Sequence, residues 1–134
     1  GPPKPITTEG TGGYLVSPDG KSFLCVHQDG VRRICSCGGN AEERILPGLT
    51  DKEVIHRWST DGRSLLVSTY EAPVFKISRL DIATGKMTPF KELSAGDLTG
   101  VYFAPLLRLS PDGDAYVLGK RRYQMALYSA AGLR

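Results

Sequence analysis

Ser17-Pro18-Asp19-Gly20 returns as Ser59-Thr60-Asp61-Gly62 and again as Ser110-Pro111-Asp112-Gly113. Each copy follows a short apolar run and precedes a strand-like run. Within a copy, Asp can hydrogen-bond the backbone two residues on, Gly accepts a positive φ, and Pro, where present, fixes φ at the first turn position. The pattern predicts three hairpins with one turn chemistry, and recurrence of the aspartate favours a structural role over a catalytic one. The structural turn residues are Asp19, Gly20, Asp61, Gly62, Asp112 and Gly113.

The spacing of the copies predicts the architecture. They start at residues 17, 59 and 110, which are 42 and 51 residues apart. Propeller blades are four-stranded units that recur every ~40–50 residues. The predicted fold class is therefore all-β, with three four-stranded antiparallel propeller blades that form either half of a six-bladed propeller or a fragment of a longer one.

The run Ser-Pro-Asp-Gly, followed by a small or basic residue and an alternating strand, resembles the WD40-like repeats of TolB-type propellers. The resemblance covers about residues 5 to 133. It implies a β-propeller, and propellers of this type serve as docking surfaces, as sensor halves of bacterial receptor kinases and as gating domains of serine peptidases. It also implies a periplasmic or extracytoplasmic location, although the residues show no signal peptide and do not indicate a compartment.

We expect a single propeller segment over residues 1–134, in which the blades differ in their strand count. Blade 1 spans about 14–46 and blade 2 about 54–93, each with four strands. Blade 3 spans about 106–130 and has only three. A strand at about 5–9 resembles the outermost strand of a blade, so we expect it to complete blade 3.

Three blades are fewer than the four to eight of a usual ring, so one chain cannot close on itself. We predict a homodimer in which the strand at residues 6–9 of each protomer pairs with the strand at 125–130 of the other. Three plus three blades then close a six-bladed ring without bare sheet edges. The alternative is a fragment of a longer propeller.

The composition argues against two classes of partner. The net charge is +3, and the basic residues are scattered apart from Arg32-Arg33 and Lys120-Arg121-Arg122. Nucleic-acid binding favours a basic stripe interleaved with exposed aromatics, so we expect no nucleic-acid partner. No run approaches the ~18 apolar residues of a membrane helix, so we also expect no membrane segment in this chain.

The three cysteines lie within one predicted hairpin. If Asp29-Gly30 is a two-residue turn, Cys25 lies opposite Ile34. Cys25 and Cys35 then point to opposite faces of the sheet, so no disulfide is predicted. With Cys37 they lack an obvious fourth metal ligand. We interpret all three as small buried hydrophobes, and we predict no metal and no cofactor.

No catalytic motif is present in the sequence. It contains no Gly-x-Ser-x-Gly elbow, no phosphate-binding loop ending in Gly-Lys-Ser/Thr and no His-Glu-x-x-His helix. His27 and His56 have no nucleophile at motif spacing, so we interpret both as structural. We predict that the chain is not an enzyme and has no catalytic residues.

The position two residues before each turn serine is Leu15, Arg57 or Arg108, and the ligand-binding candidates are Arg57 and Arg108. Innermost strands line the central channel of a propeller. Two guanidinium groups there can bind a carboxylate or phosphate in bidentate fashion, or can pair with turn aspartates of a neighbouring blade. His56 precedes Arg57, and by strand alternation it should point to the opposite face.

A second candidate surface is the connection at 94–104, with the recognition-loop candidates Asp97, Tyr102 and Phe103. Long loops on a rigid β-scaffold often carry recognition, although this one also suits a connector whose aromatics fill the space between blades. The predicted function is a non-catalytic module that binds a protein or small anionic ligand, as the sensor or docking part of a larger bacterial protein. The alternative is the gating propeller of a serine peptidase whose catalytic domain lies outside this chain.

Overall fold

The computed structural model describes residues 1–7, 9–39, 42–101, 105–129 and 131–132. Across these residues the chain forms antiparallel β-strands and no helix, so none is long and apolar enough to cross a membrane. The strands are β1 (Gly12–Val16), β2 (Ser22–Val26), β3 (Arg32–Ser36), β4 (Glu43–Ile45), β5 (Val54–Trp58), β6 (Ser64–Glu71), β7 (Val74–Asp81), β8 (Met87–Ser94), β9 (Leu106–Leu109) and β10 (Tyr116–Gly119).

These strands form three sheets, each built from consecutive strands. The first sheet has the order β1-β2-β3-β4, the second β5-β6-β7-β8, and the third contains β9 and β10. The first two sheets each have the four strands predicted for blades 1 and 2. Within each sheet, strands that are adjacent in sequence pair with each other because short connections join them, so local turn chemistry determines most of the topology.

The three repeated turns have the same internal hydrogen bonds. In the second turn the Ser59 hydroxyl donates to Asp61 Oδ1 at 2.6 Å, and the backbone N–H of Arg63 donates to the same oxygen at 2.9 Å. Ser59 Oγ also accepts from the Ser64 backbone N–H at 3.1 Å. Gly62 closes the turn with φ +71° and donates to the Ser59 carbonyl at 3.0 Å. The equivalent groups of the first and third turns are bonded in the same way.

An apolar core lies between the first and second sheets. Trp58 is part of this core and is 7% exposed. Its Nε1 donates to the Leu15 carbonyl of β1 at 2.8 Å. The indole therefore joins the two sheets by packing and by a hydrogen bond. The other buried members are Leu24, Leu46, Ile55, Leu65, Val67, Leu80 and Ile82.

A second core lies between the second and third sheets. It contains Leu66, Phe75, Ile77, Ala95, Leu107 and Leu109. Leu65 and Val67 of β6 face the first sheet while Leu66 faces the third, so this strand is apolar on both faces. Such a pattern is what a sheet covered on both sides requires.

The third sheet is smaller than predicted. Residues 125–129 and the described part of 5–9 are outside any strand. After β10 the chain does not turn back along that strand. Instead Arg122 forms a β-bridge with Val101, and the Tyr123 N–H donates to the Gly100 carbonyl at 3.1 Å. Pairing with the preceding connection thus replaces the expected hairpin, and β10 keeps a free edge within the described residues.

The register of β2 and β3 corrects the cysteine prediction. The hairpin loop has five residues, His27–Val31, with Gly30 at φ +75°, instead of a two-residue turn. Cys25 therefore lies opposite Arg33 and not opposite Ile34. Because side chains alternate along a strand, a shift of one residue brings Cys35 onto the face of Cys25. The two form a disulfide with a Cα–Cα distance of 6.1 Å.

Candidate functional site

The site candidates gather where the first strands of the second and third sheets lie side by side. β5 contacts β9, and each lies at an edge of its own sheet. The structure brings Arg57 of β5 to β9, the strand that carries Arg108. His56 lies beside them. We call His56, Arg57 and Arg108 the first-strand patch.

A bulge in β5 positions two of the three residues. Ile55 pairs with Val67 and Arg57 with Leu66, so His56 is an extra residue without a partner on β6. A bulge of this kind interrupts the alternation of side chains. Arg57 lies opposite Leu66, which packs in the core toward the third sheet. The expectation that His56 and Arg57 point to opposite faces is therefore wrong, since both point toward β9.

The side chain of Arg57 connects the two sheets by a hydrogen bond to the backbone of β9. Its Nη1 donates to the Leu109 carbonyl at 3.0 Å. Its Nε is buried and has no hydrogen-bond partner among the described residues. The Arg57 side chain therefore contacts the Leu109 carbonyl and not a turn aspartate of the neighbouring sheet. Arg57 is half-buried, and its side chain bridges the two sheets through the bond to Leu109.

Arg108 and His56 meet at a second carbonyl of β9. Arg108 is exposed, and its Nη1 donates to the Leu107 carbonyl at 3.0 Å. The backbone of Leu107 also favours the protonated form of the His56 ring. Its Nε2 lies 2.7 Å from the Ser68 hydroxyl of β6. A ring nitrogen, a buried hydroxyl and two guanidinium groups therefore line one small region.

The patch carries positive charge without a compensating carboxylate. Among the described residues, neither Arg57 nor Arg108 forms an ion pair with an acidic side chain. Burial lowers the pKa of His56 below its usual value, and the nearby charge of Arg108 lowers it further, while the hydrogen bond to Leu107 opposes both. The ring is therefore neutral at neutral pH. The arrangement suits an oxygen-bearing anion, for which guanidinium groups provide paired donors.

His56 is the residue that sequence reasoning missed. Ile55 and Trp58 both face the first sheet, yet two residues separate them instead of one. A pair of adjacent polar residues between apolar positions is the sequence pattern that a bulge produces. This break in the two-residue alternation of apolar positions is the feature of the sequence that indicates a bulge at His56. The first sheet has a similar bulge at Leu15, whose φ is +51°, but its side chain is apolar and packs in the core.

The second candidate surface is described only in part. Tyr102 and Phe103 lie outside the described residues. Asp97 Oδ1 accepts from the Thr99 N–H at 2.9 Å, and this local bond is the main cause of its lowered pKa. Arg122 donates to the Asp97 carbonyl at 3.1 Å. Asp97 thus stabilises its own loop and holds the chain that follows β10.

The turn aspartates border a cleft of about 350 Å³ between the first two turns. Asp19, Asp61 and Trp58 are among the residues that line it. The pKa of each carboxyl is lowered, chiefly by the hydroxyl of its own turn serine and then by a backbone N–H. One oxygen of each carboxylate is thus used inside its turn. Across the described residues no group of three His, Cys, Asp or Glu side chains is able to hold a metal ion.

Comparison with known proteins gives structural similarity but no family. No protein-family model matches the chain, and no curated protein matches it. The chain is similar to the crystal structure of TolB from Acinetobacter baumannii, with 19% sequence identity and a TM-score of 0.48. The match covers 85% of this chain and 34% of the TolB chain. The chain thus spans about a third of the length of the protein it matches.

Proposed function

We propose that the chain is a three-blade segment of a β-propeller that binds an anionic group at the first-strand patch. The observation that carries the proposal is the position of Arg57 and Arg108 on adjacent first strands without a carboxylate partner among the described residues. The repeated turns and the two apolar cores between consecutive sheets support the blade arrangement. In a propeller the first strands line the channel, where a ligand has access.

The chemistry of the patch indicates the class of ligand. Arg108 is exposed, and its bond to the carbonyl of Leu107 uses only one of its five N–H donors. The buried Nε of Arg57 has no acceptor among the described residues. Buried donors are almost always paired, so an acceptor is expected there when the site is occupied. A carboxylate, phosphate or sulfate group supplies several acceptor oxygens to such donors.

In biological terms, we propose a non-catalytic binding module that acts as the sensor or docking part of a larger bacterial protein. The acidic group belongs to a small ligand or to a partner protein. The Cys25–Cys35 disulfide supports an oxidising, extracytoplasmic compartment, because disulfides are rare in the cytosol. The peptidase-gating alternative concerns sequence outside this chain and stays a prediction.

A titration with anions tests the binding proposal. Calorimetry with phosphate and with citrate should give saturable binding to the wild-type chain. Arg108→Ala should weaken it by about 1.5–3 kcal/mol, the value of a hydrogen bond to a charged group. Arg108→Ala is the better test, because Arg57→Ala also removes the hydrogen bond from Arg57 to the Leu109 carbonyl, which joins the two sheets.

Arg44→Ala is a matched control, since it removes the same charge from the outermost strand of the first sheet. It should bind as the wild type does. Flat titrations of the wild type with both anions would show that Arg57 and Arg108 have structural roles alone. Equal weakening in Arg44→Ala and Arg108→Ala would indicate a general charge effect without a site.

We also propose that a second copy of the chain covers the third sheet. Val117 and Leu106 are 69% and 64% exposed, and Met125 and Leu127 are 81% and 99% exposed. The edge of β10 is free within the described residues, and an apolar strand edge invites pairing with another chain. Residues 6 and 7 are not in a strand, so they are available to pair in a second protomer.

Light scattering tests this assembly. A homodimer should give twice the 14.5 kDa chain mass, and deletion of residues 1–9 should shift the equilibrium toward monomer because it removes the closing strand. Val117→Lys should have the same effect by placing a charge on the apolar face. A wild-type chain that stays monomeric at micromolar concentration contradicts the dimer.

A further inference from the structure

His56 is the titratable member of the first-strand patch. A bulge in β5 turns its ring toward β9, next to Arg57 on the same strand. Arg108 is the charged group that faces it from β9, and Ser68 is the polar group that faces it from β6. Every neighbour with a charge is thus positive, and an acidic partner is absent among the described residues. A histidine in such surroundings gains a favourable partner only when an anion arrives.

The hydrogen bonds of the ring allow it to change protonation state in place. The Ser68 hydroxyl, 2.7 Å from Nε2, is able to donate to a neutral ring or to accept from a protonated one. The backbone of Leu107 also favours the protonated form of the ring. Protonation therefore keeps the contact with Ser68, and the side chain need not move to titrate.

We propose that His56 is the third anion-binding group of the patch and that its protonation makes oxyanion binding tighten as the pH falls. The proposal rests on the proposed function, since it assigns a further residue and a regulation to the same site. The class of ligand is an oxyanion carried on a small molecule or an acidic side chain. At neutral pH the two guanidinium groups bind it, and at mildly acidic pH a third cation joins them.

The sign of the pH dependence follows from the two states of the site. In the free protein, burial and the charge of Arg108 hold the pKa of His56 below its usual value. A bound anion compensates the charge of Arg108 and favours the imidazolium, so the pKa of His56 rises in the complex. Binding then takes up a proton in the interval between the free and the bound pKa. Affinity increases as the pH falls through that interval, by about tenfold for each unit between the two values.

Sulfate is the suitable probe, because it keeps two negative charges across the range from about pH 5 to pH 8 where histidine titrates. The wild-type chain should bind sulfate more tightly at pH 5 than at pH 8. His56→Gln keeps an amide able to bond Ser68 but does not titrate, so its affinity should vary little with pH. His27→Gln is the matched control, because His27 bonds Glu43 and Thr11 in the first sheet, away from the patch.

Nuclear magnetic resonance of the wild type gives a second measurement that needs no variant. The His56 ring signals should titrate at a higher pH with saturating sulfate than without it, while those of His27 should not shift. Sulfate binding with an unchanged His56 midpoint would overturn this inference and leave the proposed function standing. An absence of sulfate binding at every pH would overturn both.

Discussion

The hydrogen-bonded indole of Trp58 is the best single test of how the first two sheets hold together. Its ring lies in the core shared by both sheets and is 7% exposed. Its Nε1 donates to the carbonyl of Leu15, the bulged residue of β1. Two substitutions separate these contributions. Trp58→Phe keeps an aromatic ring but loses the donor, and Trp58→Ala loses both.

The expected losses of unfolding free energy come from the buried ring and from its hydrogen bond. Removal of a buried large aromatic side chain costs about 3–5 kcal/mol in unfolding free energy. Loss of the N–H alone leaves the Leu15 carbonyl without that donor and costs about 1–3 kcal/mol. A domain of this size has an unfolding free energy of about 5–15 kcal/mol, so Trp58→Ala removes a large share of it. Trp58→Phe should remain folded.

Urea unfolding followed by far-ultraviolet circular dichroism measures both losses, because neither variant keeps the single tryptophan needed for fluorescence. Thr88→Ala is the control, since Thr88 is exposed on the outermost strand of the second sheet and its truncation should change stability by less than about 0.5 kcal/mol. A loss below about 1 kcal/mol in Trp58→Ala would refute the argument. So would a wild-type emission maximum like that of free tryptophan in water.

Three further predictions concern the turns and the disulfide. Gly62→Ala should lower stability by about 1 kcal/mol, because φ there is +71° and a Cβ is unfavourable in that region; thermal unfolding measures it. The pKa of Asp61 is lowered by its turn hydrogen bonds, so its contribution is present above the ordinary aspartate pKa of about 3.9 and is lost as the pH falls through the lower folded value. Asp61→Asn should flatten the acid side of a stability profile, and an identical profile would contradict this. Reduction of the Cys25–Cys35 bond, which closes a short loop, should cost about 2–3 kcal/mol, and alkylation without reductant should modify only Cys37.

Local patterns in the sequence predict most of the strands and turns. The Ser-x-Asp-Gly turns need only residues within five positions of each other, so their hydrogen bonds form from local chemistry. The strands of the first two sheets flank those turns and carry apolar residues on both faces. The pair Arg57 and Arg108 was also recognised from spacing alone, because both stand two residues before a turn serine.

Register and pairing between distant segments were decided by the tertiary structure. The five-residue loop after β2 shifts the register by one position, and this shift alone places Cys25 and Cys35 on the same face. The bulge at His56 acts in the same way, since one extra residue turns the ring toward β9. Side chains alternate with a period of two, so a change of one residue reverses which face they share.

At the end of the third sheet, strand pairing also depends on residues that are far apart in the sequence. Residues 125–130 were predicted from the sequence as the third strand of blade 3, but residues 125–129 lie outside any strand. In the folded chain Arg122 and Tyr123 bond to Val101 and Gly100 instead, and this pairing leads the chain away from β10. Turn geometry and strand propensity are properties of a few neighbouring residues, and the sequence by itself determined them. Which of two possible partners a strand takes depends on contacts across more than twenty residues, and only the tertiary structure decided it.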